Sequence, residues 1–271
     1  MDIIQRNFFR LLRSGAFTDN EPVEPMSAFK WRRLFQMVEA QGVIDIFLHG
    51  VSNHHGEKEL NVPESVVEEA KKRLEELHDD GENAPKGVAM SFVLYNNRLQ
   101  QLLTDERHSI DTSVETMDLL RILVSNEQDI LNRGMSMKGL VRLGLYLRRK
   151  GDRVDFVKLQ RWLQRIHLQR MAQLQGSFLI AMFGFEDDEL PFVRHEEPQA
   201  YKLMVSSVGN LAKDTAQDWH FRQTRTGFVS GNTAILRRNL RRSIRYLPYA
   251  TLETAASFVS NFAKSLKEIE E

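Results

Sequence analysis

The stretch that decides the fold class is TSVETMDLLRILVSNEQDILNRG, residues 112–134. Its apolar residues recur at intervals of three and four, the period of an amphipathic helix rather than the alternation of a half-buried strand. The inward residues predicted from this spacing are Val114, Met117, Leu120, Leu123 and Ile130. Thr112 and Glu115 have the spacing of a capping box at the start of the helix, and Gly134 is suited to its end.

The helical period continues on both sides of this segment. Toward the amino terminus it predicts helices over residues 2–14, 27–42, 64–78 and 88–104, the first ending at Gly15 and the second at Gly42. Toward the carboxyl terminus it predicts helices over residues 137–150, 156–183, 199–217, 234–247 and 250–269, with Ser136 and Asp155 as N-cap residues. No convincing alternation indicates a strand, so the sequence predicts an all-α fold, a bundle of about ten helices.

The length and composition bound the organisation of the chain. With 271 residues, of which 42% are hydrophobic, the chain can bury one sizeable core or two small ones. We expect an amino-terminal helical portion over residues 1–133 and a carboxy-terminal helical portion over residues 134–271. One continuous domain containing both portions is the alternative.

Charge and cysteine content exclude several classes of function. Thirty-seven basic residues balance thirty-seven acidic ones, so no global field attracts nucleic acid or an anionic membrane. The absence of cysteine excludes disulfides, thiolate catalysis and cysteine metal sites, and fits a reducing compartment. Because the sequence shows neither a signal-peptide core nor an apolar run of membrane-spanning length, we expect a soluble, cytoplasmic protein.

Three segments carry a resemblance to a known family. They are SAFKWRRLFQMVEAQGV (27–43), GLYLRRKGDRVDFVKLQRWLQRIHLQRMAQLQGSFLIAMFGFEDDELP (144–191) and RRNLRRSIRYLPYATLE (237–253). They are similar to the opening helix, the helical region downstream of the catalytic core, and the arginine-rich helix of uncharacterised nucleotidyltransferase-like proteins from gut bacteria. None of the three is a catalytic motif, so the resemblance implies a related helical scaffold and not an activity.

The catalytic core of that family has no counterpart in this sequence. Nucleotidyl transfer needs a glycine-serine turn and closely spaced carboxylates that hold magnesium at the phosphates. The family places these between Asn96 and Asn132, where this sequence has helical periodicity and scattered acids, and no Asp-x-Asp occurs anywhere in the chain. The resemblance thus implies a relative that kept the helical scaffold and lost the catalytic core. The alternative is a helical protein that is similar by chance.

A divergent magnesium-dependent nucleotidyltransferase is the alternative from another class. Its glycine-serine and paired-acid pattern would be Gly176, Ser177, Asp187 and Glu189. Strands need apolar residues before the glycine and between the acids, where this sequence has Gln175 and Asp188. The pattern therefore favours a polar turn after a buried helix.

The strongest local charge signal is an arginine cluster without a single acidic residue. Its members are Arg222, Arg225, Arg237, Arg238, Arg241, Arg242 and Arg245. The last five share one broad helical face, and Leu236, Leu240, Ile244 and Leu247 share the other face. The arginines would pair with acids of residues 64–82, 186–189 or 196–197 inside the protein, or bind an acidic protein, a small anion or, less readily, nucleic acid.

The remaining candidates for chemistry are scattered. His49, His54 and His55 cluster around a loop, but the sequence offers them no acidic ligand at a suitable spacing. Asp218, His220 and Ser206 or Ser207 would form a hydrolase triad only if folding brought them together. Phe178, Met182, Phe183 and Phe185 are expected in the core. The sequence therefore predicts no catalytic residue, metal or cofactor, and favours a non-catalytic scaffold or interaction protein whose contact is the arginine helix.

Overall fold

The computed structural model describes residues 1–271 except 20, 55, 57–59, 77–83, 210–239, 242 and 271, and gives only the backbone of 262–270. The residues so described form twelve α-helices and no strand, which confirms the all-α prediction. The helices are α1 (Ile3–Phe17), α2 (Ala28–Gln41), α3 (Ile44–Asn53), α4 (Glu64–Glu76), α5 (Val93–Arg107), α6 (Val114–Asn132), α7 (Met137–Lys150), α8 (Phe156–Arg165), α9 (Gln169–Phe183), α10 (200–209), α11 (240–241 and 243–246) and α12 (Thr251–Glu270). Short 3₁₀ turns lie at Gly151–Arg153 and Asp187–Glu189. No helix among the described residues is both long and apolar enough to cross a membrane.

Helices α1 and α3 pack against each other through two glycines. A Cβ atom on Gly15 would overlap the carbonyl oxygen of Ile46, and one on Gly50 would overlap the carbonyl oxygen of Leu11. The two backbones can approach this closely only because neither glycine has a side chain. Gly15 therefore lies inside α1, which continues to Phe17, and the prediction that it ends the helix is wrong.

Helix α6 lies at the centre of the bundle and packs against α7, α8, α9 and α12. It meets α7 closely because Gly139 leaves room for Asn126, whose amide donates to the Gly139 carbonyl at 3.1 Å. The same amide donates to Oε1 of Gln175 on α9, also at 3.1 Å. The predicted helix is confirmed, but the predicted capping box is wrong: Ser113 is the N-cap residue, and Thr112 donates to the Glu106 carbonyl.

The predicted helix over residues 156–183 is two helices. His167 adopts a left-handed backbone conformation with φ 55° between α8 and α9, and its ring stacks on Tyr95 of α5 at 4.8 Å between ring centroids. Asp155 caps α8 as predicted, since its carboxylate accepts from the Lys158 amide at 2.8 Å. The break turns α9 into the core, where Phe178 and Phe183 are buried as expected.

One hydrophobic cluster includes buried residues from both sides of position 133. Phe8 and Trp31 belong to it, as do Phe178 and Tyr246. Arg148 of α7 lies over the rings of Phe17 and Phe185, at 5.0 and 4.2 Å, and so covers one side of this cluster. The division into two portions stays a prediction.

Candidate functional site

Helix α11, which contains the arginine cluster's described members, is anchored by a tyrosine. Tyr246 is 1% exposed and ranks among the largest fully buried side chains. Its hydroxyl lies 3.3 Å from Oγ of Ser207 on α10, which gives the buried phenol a polar partner. Tyr246 thus decides which face of α11 turns toward the core.

The turn after α11 is fixed by Arg170 of α9. The Arg170 guanidinium donates to the Pro248 carbonyl at 2.8 Å and lies 5.4 Å from the ring centroid of Tyr249. Burial raises the pKa of the Tyr249 phenol, and the carboxylate of Glu197 raises it further. These contacts connect the turn after α11 to α9.

The apolar face of α11, which continues to Leu247 directly after the helix, is exposed. Leu240, Ile244 and Leu247 are 45%, 63% and 41% exposed. They recur at intervals of four and three and therefore share one side of the helix, while Tyr246 falls on the opposite side. Because the large aromatic ring occupies the core position, the three aliphatic side chains form a stripe that contacts solvent; we call it the α11 stripe.

Two arginines of the predicted site flank the α11 stripe. Arg241 is exposed and Arg245 is half-buried, and neither forms an ion pair with a described residue. Two acids predicted as their internal partners have other contacts: Glu189 pairs with Arg148 at 2.9 Å, and Glu197 accepts from Gln173 at 2.8 Å. The other five arginines lie outside the described residues: Arg222, Arg225, Arg237, Arg238 and Arg242.

The residues of the nucleotidyltransferase-like pattern do not form a site. Gly176 lies inside α9, where it lets Val193 and Phe192 pack against the helix. Ser177 is buried, donates to the Gln173 carbonyl and accepts from the Glu197 amide, both at 2.9 Å. Asp187 and Glu189 lie in a 3₁₀ turn and not on a strand. This arrangement agrees with the interpretation of a polar turn after a buried helix.

Neither the histidine cluster nor the serines of the possible triad form a site among the described residues. His49 is exposed, His54 is buried and His55 lies outside the described residues, among which no group of three metal-ligating side chains occurs. Ser206 donates to the Leu203 carbonyl, and Ser207 contacts Tyr246. The other two members of the proposed triad, Asp218 and His220, lie outside the described part of the chain.

A second polar site, where α12 packs on α6 and the start of α5, was not found by sequence reasoning. We call it the α6–α12 seam. Glu253 of α12 is 2% exposed and accepts hydrogen bonds from the backbone amides of Ser91 at 2.7 Å and Phe92 at 2.9 Å, and from the Gln128 side chain at 3.3 Å. These bonds explain why α5 begins at Val93 and not at residue 88 as predicted, since both amides point to the carboxylate.

Glu127 of α6 lies in the same seam and is fully buried. Neither of its carboxyl oxygens has a hydrogen-bond partner among the described residues. Burial raises its pKa well above the ordinary value, and the charge of Glu253 adds to this effect. The sequence does contain a signal: Glu127 lies four residues after Leu123 and three before Ile130, so it occupies a position of the apolar stripe.

Comparison of the chain with protein-family models, with curated proteins and with solved structures gives no match. The resemblance to nucleotidyltransferase-like proteins therefore stays a prediction from the sequence.

Proposed function

We propose that the protein is a non-catalytic helical interaction protein that binds an acidic, amphipathic helix of a partner protein through α11. The observation that carries this proposal is the exposed stripe of Leu240, Ile244 and Leu247 beside the exposed Arg241, which forms no ion pair with a described residue. A relation to the scaffold of nucleotidyltransferase-like proteins is part of the same proposal, because residues 237–253, which include α11, are among the segments that carry the resemblance.

The spacing of the α11 stripe favours a helical partner. Its intervals of four and three residues are those of a helix seam, into which the apolar side chains of a second helix can pack. The exposure of three neighbouring aliphatic side chains is otherwise costly in water, since each buried methylene contributes about 0.8 kcal/mol. A partner helix that covers the stripe removes this exposure.

The charge around the stripe favours an acidic partner. Residues 222–245 contain seven arginines and no aspartate or glutamate. Arg241 follows Leu240 directly in the sequence and lies at the margin of the stripe, the position from which charged residues pair across a helix seam. Complementary charge steers association and selects the partner, so glutamates are expected along the margins of the partner helix.

The test uses a labelled synthetic helical peptide with leucine at intervals of three and four and glutamate at its other positions. Its binding to the full chain is measured by fluorescence anisotropy. Ile244→Glu should weaken binding by about tenfold or more, because it places a carboxylate in the centre of the stripe. Arg241→Glu should weaken binding by about fivefold and reduce its dependence on salt.

Matched controls come from exposed residues elsewhere in the chain. Val157 is 68% exposed on α8, and Arg161 is exposed on the same helix. Val157→Glu and Arg161→Glu should therefore bind the peptide as the unaltered protein does. Equal binding by Ile244→Glu, or an equal loss in Val157→Glu, contradicts the proposal.

Two further probes separate the alternatives. Inorganic phosphate and a single-stranded oligonucleotide are titrated under the same conditions. One outcome is that the peptide does not bind, whereas the oligonucleotide binds with a salt dependence that Arg241→Glu reduces. The proposal of a protein partner is then wrong, and nucleic acid is the ligand. Binding of phosphate alone, again lost in Arg241→Glu, assigns a small anion instead.

A further inference from the structure

The burial of Glu127 restricts the protonation state that the folded protein can hold. Its side chain has no exposed surface, and no described group donates to either carboxyl oxygen. A buried carboxylate without a donor or an opposite charge is strongly destabilising, whereas the neutral acid costs much less. The folded seam therefore fits a protonated Glu127.

The neighbouring Glu253 has the opposite environment. Two backbone amides and the Gln128 side chain donate to its carboxylate, and such donors stabilise the charged form. Burial raises the pKa of Glu253 above its ordinary value, and these bonds limit the rise because they stabilise the charged form. Of the charged groups on the described helices that pack against α6, Glu253 is the one whose charge acts on Glu127. The seam thus fits one negative charge, on Glu253, and one proton, on Glu127.

We propose that the proton on Glu127 is a pH-sensitive latch that holds α12 against α6. Loss of this proton places two carboxylates in one buried seam, and the new charge can reach water only if the seam opens. Because Glu253 connects α12 to the start of α5, opening of the seam also frees the amides of Ser91 and Phe92. The latch lies in the α6–α12 seam and does not require the docking role of α11.

The direction of the pH dependence follows from the raised pKa. In the unfolded chain Glu127 titrates near the ordinary value of 4.5, and in the folded chain at a higher pH. Between these two values the folded state binds more protons, so the stabilisation is complete below about pH 4.5 and is lost as the pH rises. The latch is closed in acid and weakens toward alkaline pH.

The test is hydrogen exchange of α12 and α1 in the full chain between pH 5.5 and 8.5, corrected for the intrinsic exchange rate. In the unaltered protein, protection of α12 should fall with pH, by up to about tenfold per pH unit for one proton, while α1 changes little. Glu127→Gln should remove this difference, because the amide has the same shape and does not titrate. Glu127→Met is the second variant and should behave in the same way.

The control is Glu68→Gln on α4, because Glu68 is exposed and its neutralisation should leave the pH profile of α12 unchanged. The latch is wrong if Glu127→Gln and Glu127→Met keep the slope of the unaltered protein, or if α1 and α12 lose protection in parallel. A further result would also contradict the latch. Millimolar MgCl₂ or CaCl₂ would raise the protection of α12 at pH 8.5 in the unaltered protein but not in Glu127→Gln or Glu127→Met. That result would assign the two carboxylates to a cation site.

Discussion

The α1–α3 crossing and the α6–α12 seam hold helices together by different physical means. At the crossing, Gly15 and Gly50 bring two backbones into direct contact, and Leu11 and Phe47 are fully buried. At the seam, a buried carboxylate binds the amides of Ser91 and Phe92, and a second carboxyl group has no partner in the described part of the chain. The crossing depends on shape, whereas the seam depends on hydrogen bonds and on a proton.

This difference predicts different responses to perturbation. Contacts between backbones and aliphatic side chains do not titrate, so the crossing should be insensitive to pH and very sensitive to added volume. Buried polar groups are stabilising only while each has its partner and its protonation state. The seam should therefore respond to pH and to the loss of single polar atoms.

The largest effect is expected for Gly15→Ala. The added methyl would overlap the Ile46 carbonyl oxygen and lie 2.8 Å from the Gly50 amide nitrogen. Backbone atoms cannot turn away as a side chain can, so α1 and α3 must separate, at a cost of about 3 kcal/mol. Urea denaturation at pH 6 and pH 8 should show the same loss at both values.

Gly151→Ala is the matched control for this substitution. Gly151 has φ −54° and no atom within 4 Å of an added Cβ, so alanine fits its backbone and its surroundings. The free energy of unfolding of Gly151→Ala should be unchanged or higher by up to about 1 kcal/mol, because alanine restricts the unfolded chain. If Gly15→Ala were as stable as Gly151→Ala, shape would not fix the crossing.

A smaller loss is expected for Glu253→Ala. This change removes the acceptor of the Ser91 and Phe92 amides and of the Gln128 side chain. Leaving these partly buried donors unpaired should lower the free energy of unfolding by about 2 kcal/mol, measured by urea denaturation at pH 7.

Glu76→Ala provides the comparison, since Glu76 is 51% exposed and pairs with Arg73 on the surface of α4. An exposed pair of this kind contributes little, so this variant should be close to the unaltered protein in stability. A similar loss in both variants would mean that the bonds of Glu253 are worth no more than a surface ion pair.

The sequence predicted those features that depend on neighbouring residues in the chain. The spacing of apolar residues identified α6, and Gly42 with φ 64° ends α2 as expected. Ser136 and Asp155 cap α7 and α8, because a short polar side chain reaches the free amides of the first turn. These signals are local, so one sequence contains them.

The sequence did not predict features decided by contacts between distant segments. Gly15 has the local properties of a helix end, and only the approach of α3 shows that it lies inside α1. His167 breaks the helix without glycine or proline, and its partner Tyr95 lies far away in the chain. For α11, the contact of Tyr246 with Ser207 of α10 decides which face is buried, and the spacing of residues within the helix does not contain this contact.

The smallest effect, a gain, is expected for Thr254→Val. Thr254 is 1% exposed in the α6–α12 seam, and no described residue forms a hydrogen bond with its hydroxyl. Valine keeps the branched shape and removes the unpaired polar atom, so the free energy of unfolding should rise by up to about 1 kcal/mol.

Ser257→Ala, one turn further along α12, should have the opposite sign. The Ser257 hydroxyl donates to Oδ1 of Asn132 at 2.7 Å, and its loss should cost about 1 kcal/mol. Opposite signs in thermal unfolding at pH 6 would show that hydroxyls stabilise the seam only where they are paired. A loss of stability in both variants would show that the Thr254 hydroxyl has a partner. The seam would then be stabilised by all of its polar groups and not by a few hydrogen-bonded groups and one proton.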